Sequence, residues 1–274
     1  MGLEVKSKIL HIKMGVNYNS IETMKNLSIK NWICGFVILT ALSGCHGKPP
    51  ANQESGVNLT KIENSPLTYI LPPPAASGSV SVEEALSARR SRRAFQEKAL
   101  CAEKLSQILW AAYGITTPAS NPSLRGGLRT SPSAGALYPL EIYVAVGNVT
   151  GIESGVYKYV SAEHKIVRTI DRDVRRELSA AALNQFMVRD APAAVIYTAV
   201  FSRITGRYGE RGRERYVFME IGHSAQNIYL QAEALGLGTC AIAAFTDSRV
   251  SELLGLAAEE EPFYLMPVGY FSAP

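Results

Sequence analysis

Four arginines and a serine stand together at Arg89-Arg90-Ser91-Arg92-Arg93, and Arg129 follows in a polar stretch downstream. Guanidinium groups stay charged in proteins and can bind phosphate oxygens two at a time. A serine hydroxyl among them suits a phosphate or a polyol chain. A basic helix end in solvent has the same composition, so residue types alone leave both readings open. Gly236-Leu237-Gly238-Thr239-Cys240-Ala241 has the G-x-G-x-x-A spacing of a dinucleotide loop. Such a loop follows a strand and opens a helix, whereas this one follows the longest helical pattern in the chain. The Rossmann reading is therefore excluded, and Gly236 reads as a helix C-terminal glycine. Ser131-Pro132-Ser133-Ala134-Gly135 lacks the first glycine of a nucleophile elbow, which argues against a serine hydrolase. His46, His164 and His223 do not cluster with cysteines, and no metal site is expected. His223 falls inside the long helical pattern and reads as a core residue.

Elements must position these residues. Ser81 and Glu84 form an S-x-x-E capping box that starts a helix at Ala85 and Leu86. A second helix covers roughly 103–113 and stops at Gly114. A long polar loop follows, from Thr116 to Ser133. Residues 141–146, 156–160 and 194–200 read as strands, and 172–185 as a helix. In the longest periodic segment, 214–235, Val217, Ile221, Ala225, Ile228, Ala232 and Leu235 recur at spacings of three and four. Phe218, Tyr229 and Leu230 widen its apolar surface, so this helix is expected to be buried on most sides, centrally or against a partner subunit. A short helix at 251–256 and a strand at 263–268 close the chain. Strands and helices do not alternate regularly, which points to an α+β domain over 81–274.

The N-terminal part reads differently. Lys25 and Lys30, then the apolar run from Trp32 to Ala41, then Leu42-Ser43-Gly44-Cys45 have the form of a lipoprotein signal peptide over 24–44 with a lipobox. The run is too short for a hydrocarbon core of about 30 Å. Cleavage before Cys45 and diacylation of its sulfur are expected, because two acyl chains give stable anchoring. The destination is the cell envelope, with His46 after the cysteine favouring the outer membrane of a Gram-negative cell. Residues 1–23 fit no signal and read as an upstream extension. Residues 45–80, rich in Pro, Ser, Gly and Asn, read as a linker. Residues 1–44 hold five of the basic and two of the acidic residues; the remainder carries 23 and 22, a net of +1. No concentrated basic face for nucleic acid is implied. About 230 residues are enough for one large core, and Cys101 and Cys240 lack the spacing of a disulfide framework.

Taken together, these segments resemble the nitroreductase superfamily, and within it the SagB-type thiazole or oxazole dehydrogenases. The resemblance runs from about Leu71 to Gly269. It is carried by Arg-Arg-Ser-x-Arg-x-Phe at 89–95, by Leu109-Trp110-Ala111-Ala112-Tyr113-Gly114-Ile115-Thr116, and by Pro132-Ser133-Ala134-Gly135-Ala136-Leu137-Tyr138-Pro139 with Glu141. Tyr208-Gly209, Glu220 through Gln226, Gly236-Leu237-Gly238 and Pro267-Val268-Gly269 follow in order. The resemblance implies an α+β homodimer, a mixed sheet flanked by helices, with one FMN in each interface cleft. It assigns Arg89, Ser91 and Arg93 to the phosphate, ribityl chain and pyrimidine edge of FMN, which turns the basic run into a phosphate site. It assigns Pro132, Ser133 and Ala134 to a loop that the other subunit lays on the flavin ring, and Ala243 and Ala244 to backbone facing flavin N5. The implied activity is hydride transfer through N5, with a nicotinamide donor or another small reductant. Arg207 and Tyr208 occupy the catalytic pair, where azoline-oxidising members typically carry Lys-Tyr. Arginine does not deprotonate in proteins and is a poor general base, so azoline oxidation of a modified peptide is the alternative activity. A flavin- or ligand-binding lipoprotein without turnover is another. The chain also lacks the basic residues that many nitroreductases place near the C-terminus, which leaves the phosphate to the N-terminal arginines.

Overall fold

The computed structural model describes residues 59–63, 66–119, 121 and 124–272. The expected extension, signal peptide and Cys45 lie outside the described residues. An eight-stranded sheet organises the rest. In chain order its strands are β1 (Thr60–Ile62), β2 (Thr68–Ile70), β5 (Leu140–Val146), β6 (Gly155–Val160), β7 (Lys165–Ile170), β8 (Ala193–Val200), β9 (Gly238–Thr239) and β10 (Glu260–Gly269). Across the sheet they run β1-β2-β7-β6-β5-β8-β10-β9. A separate hairpin pairs β3 (Ile115–Pro118) with β4 (Gly127–Arg129). The α+β architecture with a sheet flanked by helices is as expected. The expected mixture of strand directions is not found: every ladder among the described residues is antiparallel, and the parallel pairing there is an isolated bridge between Leu100 and Val149.

Alternation of side chains along the central strands creates two cores, one on each face. On one face Ile142, Val144, Val146, Val195 and Tyr197 meet helix α2 (Ala102–Tyr113) and helix α6 (Val217–Ala234). On the other, Tyr143, Ala145, Ala194 and Ile196 meet α3 (Arg175–Ala181), α4 (Phe186–Asp190) and α7 (Asp247–Leu254). Because β5 and β8 are covered on both faces, they read as nearly continuous apolar runs. The α6 stripe of Val217, Ile221, Ala225, Ile228 and Ala232 is buried in the first core. Burial is not all round, however: Phe218 and Met219 are more than half exposed, and His223, expected in the core, is exposed.

Local chemistry explains the boundaries. Ser81 caps α1 (Val82–Ala88) through Glu84 N–H at 3.1 Å, while the Glu84 carboxylate accepts from Ser81 N–H at 2.7 Å. Gly114 ends α2 without entering the left-handed region. Its need is space, since a Cβ there would lie 2.2 Å from the Trp110 ring. Gly236 does take φ +67°, and Leu237 N–H reaches back to Ala232 O at 2.8 Å, as a helix C-terminal glycine requires. The expected helix over 172–185 is shorter, because Leu183 and Asn184 turn left-handed and a new helix, α4, begins at Phe186. The polar loop at 116–133 is tied at both ends by the β3–β4 hairpin. A ten-residue helix, α5 (Ser202–Arg211), and a π-helical turn at Gly212–Tyr216 lead into α6.

The described part of the expected linker is not a spacer. β1 and β2 extend the sheet, and Leu67, Tyr69 and Leu71 are buried in the first core. The Tyr69 hydroxyl also accepts from Glu153 N–H at 3.2 Å. Proline-rich composition concealed this segment because its strands are only three residues long. Tyr69→Ala should lower unfolding free energy by about 3–5 kcal/mol, the usual cost of deleting a large buried ring. Chemical denaturation of wild type and variant checks this; equal stabilities would mean that the segment is a linker after all.

Candidate functional site

The predicted site residues fall into two groups, on different faces of α6. In the first, the backbone after α1 crosses α6 near its C-terminal end. Glu233 anchors the crossing: it accepts from Arg90 N–H at 3.1 Å and pairs with Arg92 Nε at 3.4 Å. Arg92 also lies over the Phe271 ring at 3.9 Å, so its cation has a structural role. Arg89 sits over the Tyr229 ring at 5.4 Å, and the Ser91 hydroxyl is 3.1 Å from the Tyr229 hydroxyl. That same Tyr229 hydroxyl accepts from Ala241 N–H at 2.8 Å. The charge of Arg93 acts on Cys240, offsetting part of the burial that pushes this thiol up to about 11. Tyr229 and Cys240 thus bring Arg89, Ser91 and Arg93 to the segment containing Ala243 and Ala244. Both alanines are exposed, and their N–H groups make no hydrogen bond among the described residues. Gln185 holds Ala244 O at 2.9 Å. Neither the Arg89 nor the Arg93 guanidinium has a carboxylate partner among the described residues.

The second group surrounds the loop from Pro132 to Pro139. Gly135, Ala136 and Tyr138 all take positive φ, an arrangement that local sequence does not favour. Surrounding contacts hold it. Ser133 Oγ accepts from Tyr138 N–H at 2.9 Å, and the Tyr138 ring packs edge-on against Tyr113. Asn227 of α6 donates to Thr130 O at 3.2 Å. Arg207 and Tyr208 of α5 stand beside this loop. A side chain at Gly135 would come within 2.8 Å of the Tyr208 hydroxyl and 3.1 Å of the Arg207 guanidinium. Pro132, Ser133, Ala134, Arg207 and Tyr208 are therefore neighbours.

Behind the loop lies a buried carboxylate to which the motif reading gave no role. Glu220 is 1% exposed. One oxygen accepts from the Tyr113 hydroxyl. The other, Oε2, makes no hydrogen bond of good geometry among the described residues, although the Ser133 hydroxyl is close enough to act on the carboxyl. Arg129 lies over the Tyr113 ring at 4.2 Å and the Tyr138 ring at 4.8 Å. Burial raises the Glu220 carboxyl to about 7, against the pull of Ser133, Tyr113 and Arg129. The available signal was a glutamate on an otherwise apolar stripe, three residues after Val217 and one before Ile221.

At 100° per residue, Tyr229 lies about 180° around α6 from Glu220 and roughly 13 Å along it. Asn227, by contrast, shares the Glu220 face. One chain therefore gathers the arginines with Ala243 and Ala244, and separately gathers the 132–134 loop with Arg207 and Tyr208. Their contacts with α6 lie on opposite sides of that helix.

Glu220 gives this site a pH signature. The unfolded carboxyl titrates near 4.5 and the folded one near 7. Between these values the unfolded chain releases a proton that the folded protein keeps, so stability falls as pH rises, by up to about 1.4 kcal/mol per unit. Glu220→Gln cannot titrate. Urea unfolding from about pH 5 to 8 should show wild type losing stability relative to the variant; parallel curves would contradict the assignment.

Comparison with known proteins agrees with this architecture. The nitroreductase family profile matches residues 86–270. A protein of Methanocaldococcus jannaschii that carries the nitroreductase name is 48% identical over 190 residues, covering 69% of this chain and 91% of its own. The microcin B17-processing protein McbC of Escherichia coli is 29% identical over 144 residues, 50% of this chain and 52% of its own. The crystal structure of a Ralstonia eutropha JMP134 protein, also named as a nitroreductase, superposes with a TM-score of 0.63 at 25% identity, covering 80% of this chain and 97% of its own. With its fold, its ordered motifs and this match over most of its length, the chain belongs to the nitroreductase family of oxidoreductases.

Proposed function

We propose that this protein is an FMN-dependent oxidoreductase whose cofactor site is completed by a second copy of the chain. The observation that carries the reading is the pair Arg89 and Arg93: two cations without a carboxylate partner among the described residues, on either side of Ser91 in the chain, with Ser91 and Arg93 linked through Tyr229 and Cys240 to the segment that leads to the exposed Ala243 and Ala244. This donor set fits FMN, with cations for the phosphate, a hydroxyl for the ribityl chain and backbone donors for the ring. Bound FMN would supply a carrier that accepts and returns hydride at N5. The chain's own part is to neutralise the phosphate, hold the ring edge and offset the negative charge of the reduced flavin with a nearby cation. Because the 132–134 loop lies on the other face of α6, it would cover the flavin held by a partner subunit, in a homodimer. Tyr208 offers a proton at its hydroxyl, and Arg207 a fixed positive charge. The reductant would be a nicotinamide donor or another small molecule.

A second reading is azoline oxidation on a modified peptide, as in SagB-type dehydrogenases. The similarity to a microcin-processing protein favours it. Arg207 weighs against it, because that position would need a group able to release its proton. A binding protein without turnover is separated from both enzyme readings by whether a nicotinamide donor reduces the bound flavin. We further propose, from Leu42-Ser43-Gly44-Cys45 after the apolar run, that the protein is held at the cell envelope by lipid on Cys45.

Purified protein should carry flavin, and mass spectrometry of the released group should identify FMN. Arg93→Ala should weaken FMN binding by about 1.5–3 kcal/mol, the worth of a charge-assisted hydrogen bond; unchanged affinity would remove Arg93 from the site. Cell fractionation tests the anchor. Wild type should partition with membranes, and Cys45→Ser should not; equal membrane attachment of both would rule out lipid on Cys45.

A further inference from the structure

A cavity of about 240 Å³ lies at the junction of β4, β5 and β6, apart from the arginines of the first group. Its charged lining is Arg125, Arg129, Lys158 and Glu141, with Tyr113, Tyr159 and Ser161 also among its walls. We propose that this cavity is a binding site for a small oxyanion, a phosphate or a short carboxylate.

The charges do not balance without one. Glu141 is the carboxylate in the lining, and Arg203 of α5 already bonds its Oε1. Arg125 reaches the same oxygen at 3.2 Å, and Lys158 the other at 3.4 Å. Arg129 has no carboxylate partner within ion-pair distance among the described residues; its terminal nitrogens go to Tyr113 O, Ser161 Oγ and Arg125 O. Three cations thus converge on one carboxylate, and a fourth, Arg129, stands in the same lining without one. The Nε atoms of Arg125 and Arg129 are both buried, and neither has a hydrogen-bond partner among the described residues. Burying charged groups with unpaired donors is costly, so this corner of the fold carries positive charge that Glu141 alone does not neutralise. Crowding is visible in Arg125, which burial and then the charges of Arg203 and Arg129 hold below its ordinary range. The volume falls below the roughly 300–1,000 Å³ of sites for drug-sized ligands, so it suits a small oxyanion and not a nucleotide.

Titration calorimetry of the full chain in low-chloride buffer, with inorganic phosphate and malonate as separate probes, tests this proposal. At least one probe should bind with a Kd below about 1 mM, and the preferred probe tells phosphate from carboxylate. Lys158→Met and Arg125→Met should each weaken binding by about tenfold or more. Arg189→Met, at an exposed arginine outside both groups, should leave it unchanged. Lys158 is partly exposed on β6, so its replacement need not disturb the fold. An anion-induced rise in wild-type melting temperature that is absent in the folded Lys158→Met variant gives an independent readout. Failure of both probes to bind would overturn the proposal. So would anion binding that Arg125→Met and Lys158→Met both retain at wild-type affinity and stoichiometry.

Discussion

Helix α6 is the element on which the rest of the structure depends. It must bury an apolar stripe, from Val217 to Ala232, against the sheet and α2. That burial fixes its rotation, and the rotation decides what its remaining positions can reach. Tyr229 and Glu233 are turned toward the arginine segment, while Glu220 and Asn227 are turned toward the 130–138 loop. Few rotations of the helix would bury the stripe and also serve both segments. The separation of the site residues into two groups is therefore a consequence of packing. A cofactor needing both groups would need two chains.

Burial also sets the electrostatics. Glu220 lies on the buried face because its neighbours along the stripe are apolar, and its proton is retained because Tyr113 and a nearby cation only partly compensate for lost hydration. Glu141 is the opposite case. It too is shielded, yet Lys158, Arg203 and Arg125 outweigh the penalty and hold its carboxyl below the ordinary range. Two carboxylates on neighbouring elements are thus driven in opposite directions by their surroundings. The left-handed residues between them, Gly135, Ala136 and Tyr138, persist because Ser133 and the Tyr138–Tyr113 packing determine the loop from outside.

Much of this was legible in the sequence where one local rule sufficed. The Ser81–Glu84 capping box, the Gly236 cap and the α6 stripe each follow from spacing within a few residues. What was hidden depended on distant partners. β1 and β2 are too short to show alternation and gain their stability from β7. The strand β7 itself, and the break between α3 and α4, have no strong local mark. His223 lies in an apolar helix, which by itself suggests core, but its angular position places it outside the stripe. In the site, residue types pointed to Arg89, Ser91 and Arg93, whereas the Glu220–Tyr113 bond joins residues 107 positions apart and requires the fold to be seen. The opposite placement of the two groups on α6 could have been read from the helical period alone, once Tyr229 and Glu220 were known to matter.

If FMN binds as proposed, one chain supplies half of its site on each of two faces of α6. Sedimentation velocity recorded both in the ultraviolet and at the visible flavin band tests it most directly. Flavin absorbance should sediment only with a species of twice the chain mass, and should leave the protein when dilution drives that species to monomer. Flavin that stays with the monomer would mean that a single chain holds the cofactor without a partner.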